Sequence, residues 1–411
     1  MKRTPHILMI LDGSYPADIR VRKEAETLAR HFEVSVLCHS EQERPREESL
    51  NGVKILRHIS SGTVAQRAWY DIVNSIRFEH PLFAPAIAKC IQNHTPAVLH
   101  VHDLPLAGTA LKIARNHGIK TVIDLHENYP EALSVWFRWR KNPLVRIKNK
   151  LLFGYRRWKK YEAKMIKHFD GIICVIDEMK NFLESQYPGI SSKTVIVENT
   201  ESTAFSRLIS QSTLPAFWQK HTDKYLISYT GGIGPHRGLQ TAIRAMPAIL
   251  EHIPSALLLI IGPGHPDSIE YLKKLARNHR VEEAVLFTGP VGFSHIPAIM
   301  HASQINIIPH EENQHTEHTV PHKLYQIMMS KSPLLVSSVA PLKRIVETYN
   351  AGWIFQAGNP GDFARKAIAI HRNNDEVQKR VLNAWNACIH QGLNWEKSST
   401  KLTGFYTHFL P

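Results

Sequence analysis

The stretch that decides the fold is Thr230–Leu239, TGGIGPHRGL. It follows the apolar run Tyr225–Tyr229, which predicts a buried strand, and precedes Gln240–Met246, whose spacing predicts a helix. Glycines between a strand and a helix let an anion approach the free N–H groups at the helix start. Arg237 adds a guanidinium fork that suits phosphate oxygens. The stretch therefore predicts an anion-binding turn, with a turn that holds no ligand as the alternative, and it matches neither a Walker loop nor a regular Gly-x-Gly-x-x-Gly pattern.

Strands and helices alternate on both sides of this turn. A helix is predicted at Arg22–Arg30, and several strand runs are apolar on both faces, as a sheet covered by helices requires. The predicted strands are Ile7–Leu11, Val34–Cys38, Val98–Val101, Thr121–Leu125, Gly171–Val175, Thr194–Val197, Leu226–Tyr229, Leu257–Ile261, Val285–Thr288, Ile305–Ile308 and Pro333–Val336.

This alternation predicts an α/β protein with parallel sheets. The pattern restarts after a break near Glu201–Leu214, so we expect two Rossmann-like doubly wound domains facing each other across a cleft. The expected limits are 1–205 and 206–385, with 386–411 as a closing helix that crosses back to the first domain. Ligands in such sheets bind at the carboxyl ends of the strands, where the site residues should lie.

The composition narrows the class of protein. No stretch of the 411 residues approaches the roughly 20 apolar residues of a membrane span. Ile7–Leu11 is followed by Asp12 and lacks a signal-peptide cleavage pattern. The four cysteines are scattered, which predicts reduced, packed thiols in a cytoplasmic protein and no disulfide framework: Cys38, Cys90, Cys174 and Cys388.

The net charge of +14 is concentrated in residues 138–168, which hold twelve Lys/Arg and one acid. Leu151, Tyr155, Trp158 and Met165 recur there at helical spacing. One interpretation is a helix that packs this stripe on the core and exposes a solvated basic face. The other is a patch that binds an anionic membrane surface, because basic residues attract anionic lipid and Trp and Tyr suit the headgroup region. No nucleic-acid motif accompanies the segment, so we expect no nucleic-acid partner.

Several motifs, in order, resemble the family-four retaining glycosyltransferases of the two-Rossmann GT-B fold. The likeness covers nearly the whole chain, and its carriers are Tyr15–Ala25, Val98–Asp103, Val122–Asn128, Thr194–Asn199, Gly231–Leu239, Ile260–Gly264, Val285–Val291, Pro321–Gln326, Pro333–Ser338 and Asn394-Trp395.

The resemblance implies a retaining, metal-independent hexosyl transfer from a nucleotide diphosphate sugar, such as a UDP- or GDP-sugar. The acceptor would be a glycan or a lipid-linked molecule in cell-surface polysaccharide or lipopolysaccharide synthesis. No cofactor is implied beyond the donor substrate. A basic segment on such an enzyme would suit a protein that lies peripherally on the cytoplasmic membrane face.

The resemblance also assigns site residues. The catalytic set is His126, Arg237, Lys323 and His318. The donor would be bound by Gly231, Gly232, Arg237, Gly262, Thr288, Gly289, Val291, His318, Thr319, Val320, Pro321, His322, Lys323 and Gln326. The acceptor side would hold Asp18, Arg20, His102, Asp103 and Glu127.

The chain departs from the family pattern in its charges. Gly232 stands where relatives usually have a second basic residue, and His318 and Gln326 stand at the two glutamates of the E-x7-E pattern. Either this is a working variant, or the donor site is weakened or lost. Glu317 could replace the first glutamate through a one-residue shift.

The loop rich in histidine and glutamate invites a metal interpretation, but its spacing matches no zincin pattern. We expect a polar loop at the mouth of a nucleotide site and no metal; its residues are His310, Glu311, Glu312, His315, Glu317, His318 and His322. Three alternative functions stay open at this point: a nucleotide-sugar epimerase or hydrolase on the same fold, a non-catalytic partner of glycan-synthesis enzymes, and a dinucleotide oxidoreductase.

Overall fold

The computed structural model describes residues 4–40, 43–60 and 62–410. The chain forms two compact units. The first comprises the described residues up to Leu133, Ile147–Glu198, and the chain from Ser398 onward. The second comprises Ser134–Arg146 and Asn199–Lys397. Residues 134–146 and 199–205, expected in the first domain, lie in the second unit, whereas the described chain after Lys397 lies in the first unit, to which the closing helix was expected to cross back.

The first unit is built on one eight-stranded sheet with the order β3-β4-β2-β1-β5-β6-β7-β8. All neighbours pair in parallel except the edge pair β3–β4, which is antiparallel. The strands are β1 His6–Ile10, β2 Glu33–His39, β3 Glu47–Leu50, β4 Val53–Ile59, β5 Val98–His102, β6 Lys120–Leu125, β7 Gly171–Cys174 and β8 Thr194–Ile196.

Helices connect these strands and cover the sheet, as parallel pairing requires. Helices α5 and α6 cross the limits of the two units at their ends. The helices are α1 Ile19–Leu28, α2 Val64–Arg77, α3 Phe83–His94, α4 Ala107–His117, α5 Tyr129–Trp136, α6 Pro143–Leu152, α7 Tyr155–Met165 and α8 Asp177–Gln186.

The second unit has a six-stranded parallel sheet with the order β11-β10-β9-β12-β13-β14. Its strands are β9 Tyr225–Thr230, β10 Ala256–Ile261, β11 Val285–Gly289, β12 Ile305–Ile308, β13 Leu334–Ser337 and β14 Trp353–Phe355. The strand order reverses between β9 and β12, and ligands of open α/β sheets bind at the carboxyl side of such a switch point.

Helices again link the strands of the second unit. The helices are α9 Phe205–Leu208, α10 Leu239–His252, α11 Pro266–Asn278, α12 Ile296–Ala302, α13 Lys323–Met329, α14 Ala340–Tyr349, α15 Pro360–Arg372, α16 Asn374–Ile389 and α17 Trp395–Phe409, whose last part belongs to the first unit. Short 3-10 turns occupy Leu104–Leu106, Ile166–His168, Ser191–Lys193, Ile209–Gln211, Ala216–His221, Pro235–Arg237, Glu282–Ala284, Phe293–His295 and Thr316–His318.

The prediction of an α/β protein with two doubly wound units is confirmed, and each predicted strand overlaps an observed one. β3, β4 and β14 were not predicted. All four cysteines are free and buried, as packed thiols should be. Within the described ranges, no helix is long and apolar enough to cross a membrane.

The interpretation of the basic segment as one helix that packs a continuous apolar stripe on the core is wrong. The chain leaves the helical path at Phe153-Gly154, between α6 and α7, so the four apolar residues do not share one face. Trp158 is buried in the core, whereas Leu151 is 69% exposed. The apolar residues of the segment therefore divide between the core and the surface.

Candidate active site

Three glycines stand at the carboxyl ends of the adjacent strands β9, β10 and β11. The amide of Gly231 donates to the Ile261 carbonyl at 2.8 Å, and the amide of Gly262 donates to the Gly289 carbonyl at 2.9 Å. Gly262 has φ +141°, and a Cβ there would lie 2.2 Å from the Gly231 oxygen. Because the backbone of Gly231 already occupies that space, only a glycine at position 262 lets these two strand ends pack so closely.

The predicted strand–turn–helix unit is present, with a 3-10 turn at Pro235–Arg237 before α10. Gly238 ends that turn with φ +69°, and a Cβ there would lie 1.6 Å from the Pro309 oxygen. Pro309 follows β12. The glycine therefore packs the turn against the strand on the other side of the switch point.

Lys323, at the start of α13, has a buried amine without a hydrogen bond to any residue that the structure describes. Its ammonium lies 3.5 Å from the centroid of the Tyr229 ring and makes no hydrogen bond there. Burial, together with the charge of Arg237, holds the pKa of Lys323 well below its usual value. A Cβ at Gly231 would lie 3.4 Å from Nζ of Lys323, so the glycine keeps the approach to the ammonium open.

Arg237 is surrounded by histidines. Its guanidinium donates to Nε2 of His310 at 3.2 Å. Burial, and next the charge of Arg237, lowers the pKa of His236, His310 and His315, that of His315 to about 3. These histidines are neutral at physiological pH. The positive charge at this place is therefore carried by Arg237, and by Lys323 when its amine is protonated.

Gln326 and His322 share a carboxylate that the sequence analysis did not find. Nε2 of Gln326 donates to Oε2 of Glu201 at 2.9 Å, and Nε2 of His322 lies 3.3 Å from the same oxygen. Glu201 is buried, and its other oxygen accepts from the amide of Ser202 at 2.8 Å. Glu201 lies in the predicted break between the domains, where no motif marks it.

The remaining donor-side residues form the walls of these loops. The hydroxyl of Thr288 donates to the Gly289 carbonyl at 2.9 Å, and the Gly232 carbonyl accepts from the Tyr229 hydroxyl at 2.7 Å. Val291 packs against the apolar cluster around Trp218. The residues that lead from the turn at Thr316–His318 into α13 are Thr319, Val320, Pro321 and His322.

His318 and Glu317 differ in their surroundings. His318 is buried within the 3-10 turn. Oε2 of Glu317 accepts from the amide of Ala340 at 3.1 Å, at the start of α14. A one-residue shift that placed Glu317 at the donor would therefore break this contact.

In the first unit, Arg20 forms the centre of a buried ion-pair network. Its Nε and Nη2 donate to the two oxygens of Asp124 at 2.9 and 2.8 Å, and its Nη1 donates to the Val197 carbonyl at 3.1 Å. Glu24 lies 2.8 Å from the same guanidinium. Arg20 was expected on the acceptor side; here it joins α1 to the end of β6, and Asp124 and Glu24 are residues that sequence reasoning missed.

His126 follows β6 and lies between two carboxylates. Its Nε2 is 2.8 Å from Oδ2 of Asp124, and its Nδ1 is 3.3 Å from Oδ2 of Asp103. Burial alone would lower the pKa of His126, but the two carboxylates outweigh it and raise the pKa to about 10. His126 is therefore a fixed imidazolium with 17% of its side chain exposed, a donor of hydrogen bonds rather than a base.

Asp103 is held in a backbone conformation that non-glycine residues rarely adopt, with φ +63° and ψ 165°. Its Oδ1 accepts from the amide of His126 at 3.0 Å. In this strained conformation, at the end of β5, Asp103 holds His126 in place through its carboxylate. Of the other acceptor-side residues, Asp18 caps the start of α1 through the amide of Val21, and Glu127 is half-buried beside His126.

The two buried acids of the network differ in protonation. Arg20 and His126 outweigh burial and hold the pKa of Asp124 well below its usual value, whereas burial raises the pKa of Glu24 to about 8. Asp124 is ionised at neutral pH and Glu24 carries a proton. Burial also lowers the pKa of His100 and His102, so both are neutral.

The same network contains side chains of the types that bind metal ions. Over residues 4–40, 43–60 and 62–410, one group brings three or more metal-ligand atoms within 4.8 Å of one another: Glu24, His100, His102 and Asp124. The guanidinium of Arg20 binds both carboxylates of that group. A divalent cation would have to sit against this fixed charge, so the donor set fits a metal poorly. The loop from His310 to His322 forms no such group among the described residues.

Comparison with known proteins agrees with this architecture. The family model described as Glycosyltransferase Family 4 matches residues 18–200, and the model described as Glycosyl transferases group 1 matches residues 210–385. Glycogen synthase from Mycobacterium tuberculosis (strain CDC 1551 / Oshkosh) is 22% identical over 316 residues, which are 76% of this chain and 68% of that protein.

Two solved structures share the fold. Sucrose-phosphate synthase from Thermosynechococcus elongatus has a TM-score of 0.76 at 16% identity, over 98% of this chain and 99% of that chain. HepE from Anabaena in complex with UDP-glucose has a TM-score of 0.69 at 13% identity, over 98% and 99% of the two chains.

The fold and the two matched models define an enzyme of the glycosyltransferase class with the GT-B architecture. Within that class, the chain belongs to glycosyltransferase family 4.

The network around Asp124 predicts a large loss of stability when its charge is removed. Asp124→Asn removes the carboxylate that Arg20 and His126 share and leaves the buried guanidinium of Arg20 without an ionised partner, so we expect the free energy of unfolding to fall by about 3–5 kcal/mol. Glu24→Gln is the matched control, because it replaces a protonated acid by a neutral amide. Urea denaturation at pH 7 measures both, and equal losses would contradict the assigned protonation states.

The Glu24 control also has a pH dependence of known sign. Because the pKa of Glu24 is about 8 in the folded chain and ordinarily near 4.5, the folded state binds more protons between these values. Wild type therefore loses stability relative to Glu24→Gln as pH rises from 5 to 8. Urea denaturation of both proteins at pH 5 and pH 8 checks this, and a constant difference would contradict it.

Replacing Lys323 should weaken nucleotide binding without lowering the stability of the free protein. Lys323→Met keeps the length of the side chain and removes a buried amine without a hydrogen bond, so the free protein should be as stable as wild type or more stable. Affinity for a nucleoside diphosphate should fall at least about tenfold, since a charge-assisted bond is lost. Thermal unfolding with and without UDP measures both effects. Lys343→Met, on the exposed face of α14, is the control; a less stable free Lys323→Met protein with unchanged UDP binding would contradict the assignment.

Proposed function

We propose that this glycosyltransferase moves a hexosyl group, with retention, from a UDP- or GDP-sugar to a glycan or lipid-linked acceptor, and that it does so without a metal. The observation that carries the proposal is the buried, unpartnered ammonium of Lys323 beside Gly231 at the switch point of the second sheet. A cation in that position is most useful when an anion binds next to it. The UDP-glucose bound by HepE, which shares the fold, supports a nucleotide sugar as that anion.

The chemistry requires a stabilised leaving group. The bond between the anomeric carbon and the diphosphate oxygen breaks, and its electron pair stays on the nucleoside diphosphate. The acceptor oxygen bonds to the anomeric carbon, and its proton passes to the diphosphate. We assign Arg237 and Lys323 to the developing negative charge, with the exposed backbone at Gly231 and Gly232 admitting the phosphates.

The transferring sugar and the ribose need other contacts. His126, held as an imidazolium, is proposed to donate to the sugar, and a contact with the sugar is also proposed for His318. Gln326 is proposed to accept from a ribose hydroxyl through its amide oxygen, because its amide nitrogen is already bound to Glu201. In this interpretation the chain is a working variant of the family pattern.

The acceptor is proposed from the basic segment 138–168. Leu144, Ile147 and Leu151 lie at helical spacing on α6 and are 74%, 58% and 69% exposed. Apolar residues surrounded by lysines and arginines suit the headgroup region of an anionic membrane. We therefore propose a cytoplasmic enzyme that associates peripherally with a membrane and serves cell-surface polysaccharide or lipopolysaccharide synthesis.

Arg237→Ala tests the donor site. We expect wild type to be stabilised by UDP or GDP, by about 2.7 kcal/mol at 100 times the dissociation constant. The variant should lose most of this shift, and sugar transfer should fall at least about a hundredfold. Arg244→Ala, which changes an exposed arginine on the following helix α10, is the control for charge.

Product analysis in the same assay separates the other functions. Free sugar or an altered sugar nucleotide formed without an acceptor would favour a hydrolase or an epimerase. Unchanged transfer by Arg237→Ala would overturn the proposed donor site, and the absence of any nucleotide shift in wild type would favour a non-catalytic partner.

The contact between Gln326 and Glu201 predicts that exchanging the amide and the carboxylate between the two positions preserves donor binding. Glu201→Gln removes the carboxylate that holds Gln326, and Gln326→Glu places two carboxylates in contact, so each should raise the donor KM by about tenfold through lost positioning. The double variant Glu201→Gln/Gln326→Glu restores one carboxylate and one amide and should recover most of the loss. Steady-state kinetics over donor concentration measures this. Additive effects would show that the pair does not act as a unit.

A further inference from the structure

One cavity of the first unit lies away from the residues assigned to the reaction. It has a volume of about 900 Å³ and is lined by the end of α2, by α4, and by α7 with the turn that follows it. Helix α4 leaves the carboxyl end of β5 and runs back along the sheet, and the cavity follows it as far as Asn116 and His168. The cavity thus lies on the outer layer of helices, whereas His126 lies at the strand ends.

The lining is strongly basic and its charges are uncompensated. Glu79, its one acid, is already paired with Lys112 at 2.7 Å, and Arg157 is bound to the carbonyls of Ser75 and Ile76. Five further cationic side chains line the cavity without a hydrogen bond or an ion pair to any described residue: Arg77, Arg115, Arg156, Lys160 and Lys164. Cations gathered in this way repel one another unless an anion joins them.

The floor of the cavity is apolar and rigid. The rings of Phe78 and Tyr161 stack at 3.9 Å, and the amide of Gly108 donates to the Tyr161 hydroxyl at 2.6 Å. A Cβ at Gly108 would lie 2.7 Å from the Phe78 oxygen, so this close packing needs glycine. Leu111 and Met165 complete the apolar lining.

We propose that this cavity binds one anionic amphiphile, with its phosphate among the five cations and its hydrocarbon chain over the Phe78–Tyr161 floor. Cations alone would suit any polyanion, but the apolar floor and the 55% exposed Ile76 next to Arg77 favour a ligand with a tail. The inference rests on the proposed function for the role of that ligand, as the lipid part of an acceptor or of the membrane. The binding itself needs neither donor nor catalysis.

The first arm of the test is binding of soluble probes by titration calorimetry to the full chain in saturating UDP, which keeps the probes from the proposed donor site. Dodecyl phosphate below its micelle concentration should bind with one molecule per chain, and at least about tenfold more tightly than zwitterionic dodecylphosphocholine or inorganic pyrophosphate. Pyrophosphate binding as tightly as dodecyl phosphate would identify a site for free phosphates and overturn the amphiphile. No binding of dodecyl phosphate would overturn the site.

The second arm separates a discrete site from diffuse attraction. Arg156→Glu/Lys160→Glu changes two lining residues, and Lys148→Glu/Lys150→Glu makes the same charge change on α6 outside the cavity. Both pairs lie in the basic segment, so general attraction would weaken in both. We expect dodecyl phosphate affinity to fall at least about tenfold in the first pair and less than about twofold in the second. Equal losses would overturn the proposal.

Circular dichroism and UDP binding of both double variants control for folding. Because UDP binding reports the donor site alone, a failure of the proposed function leaves the amphiphile result intact, and a failure here leaves the donor result intact.

Discussion

The candidate donor site of the second unit depends on two basic side chains, Lys323 and Arg237, neither of which is paired with a carboxylate among the described residues. Lys323 and Arg237 lie near each other at the β9–β12 switch point, and burial keeps the surrounding histidines neutral. Such an arrangement costs stability in the free protein, because a buried amine is left without a hydrogen bond. An anion that bound there would remove that cost. Gly231 fits such binding, since a Cβ at that position would lie 3.4 Å from Nζ of Lys323 and narrow the approach to the amine.

In the first unit, by contrast, the buried cations have carboxylate partners. Arg20 and His126 are also buried cations, yet each is bound by carboxylates, and Asp124 serves both. This network joins α1, β5 and β6, and the Tyr406 hydroxyl of α17 adds a 2.7 Å hydrogen bond to His100. Full compensation makes the network rigid and leaves it little attraction for an anion. His126 can therefore present its remaining exposed surface in one orientation, with a charge that does not change across physiological pH.

The alternation of apolar runs was enough to predict both sheets, because strands buried on two faces are apolar throughout. β4 escaped prediction because Lys54, Arg57 and His58 interrupt its pattern, and Arg57 is buried through contacts with Glu48 and with backbone carbonyls. Arg237 and Lys323 could be assigned to the site from sequence because each belongs to a loop with its own motif, and their roles at the donor stay predictions. Asp124 and Glu201 act through partners more than one hundred residues away, and such pairing leaves no local signal.

The departures from the family's two glutamates bear on whether the donor site works. Gln326 is neutral, but Glu201 lies at hydrogen-bond distance and restores one carboxylate to that place. Glu201, in the segment before α9, thus supplies a carboxylate beside α13, and it orients Gln326 with its amide oxygen left to accept. This buried pair, and the amine buried beside Gly231 at a cost in stability, have a use in a site that binds a ligand and none in a site that does not. The charges of the second unit therefore favour a working donor site over a degenerate one.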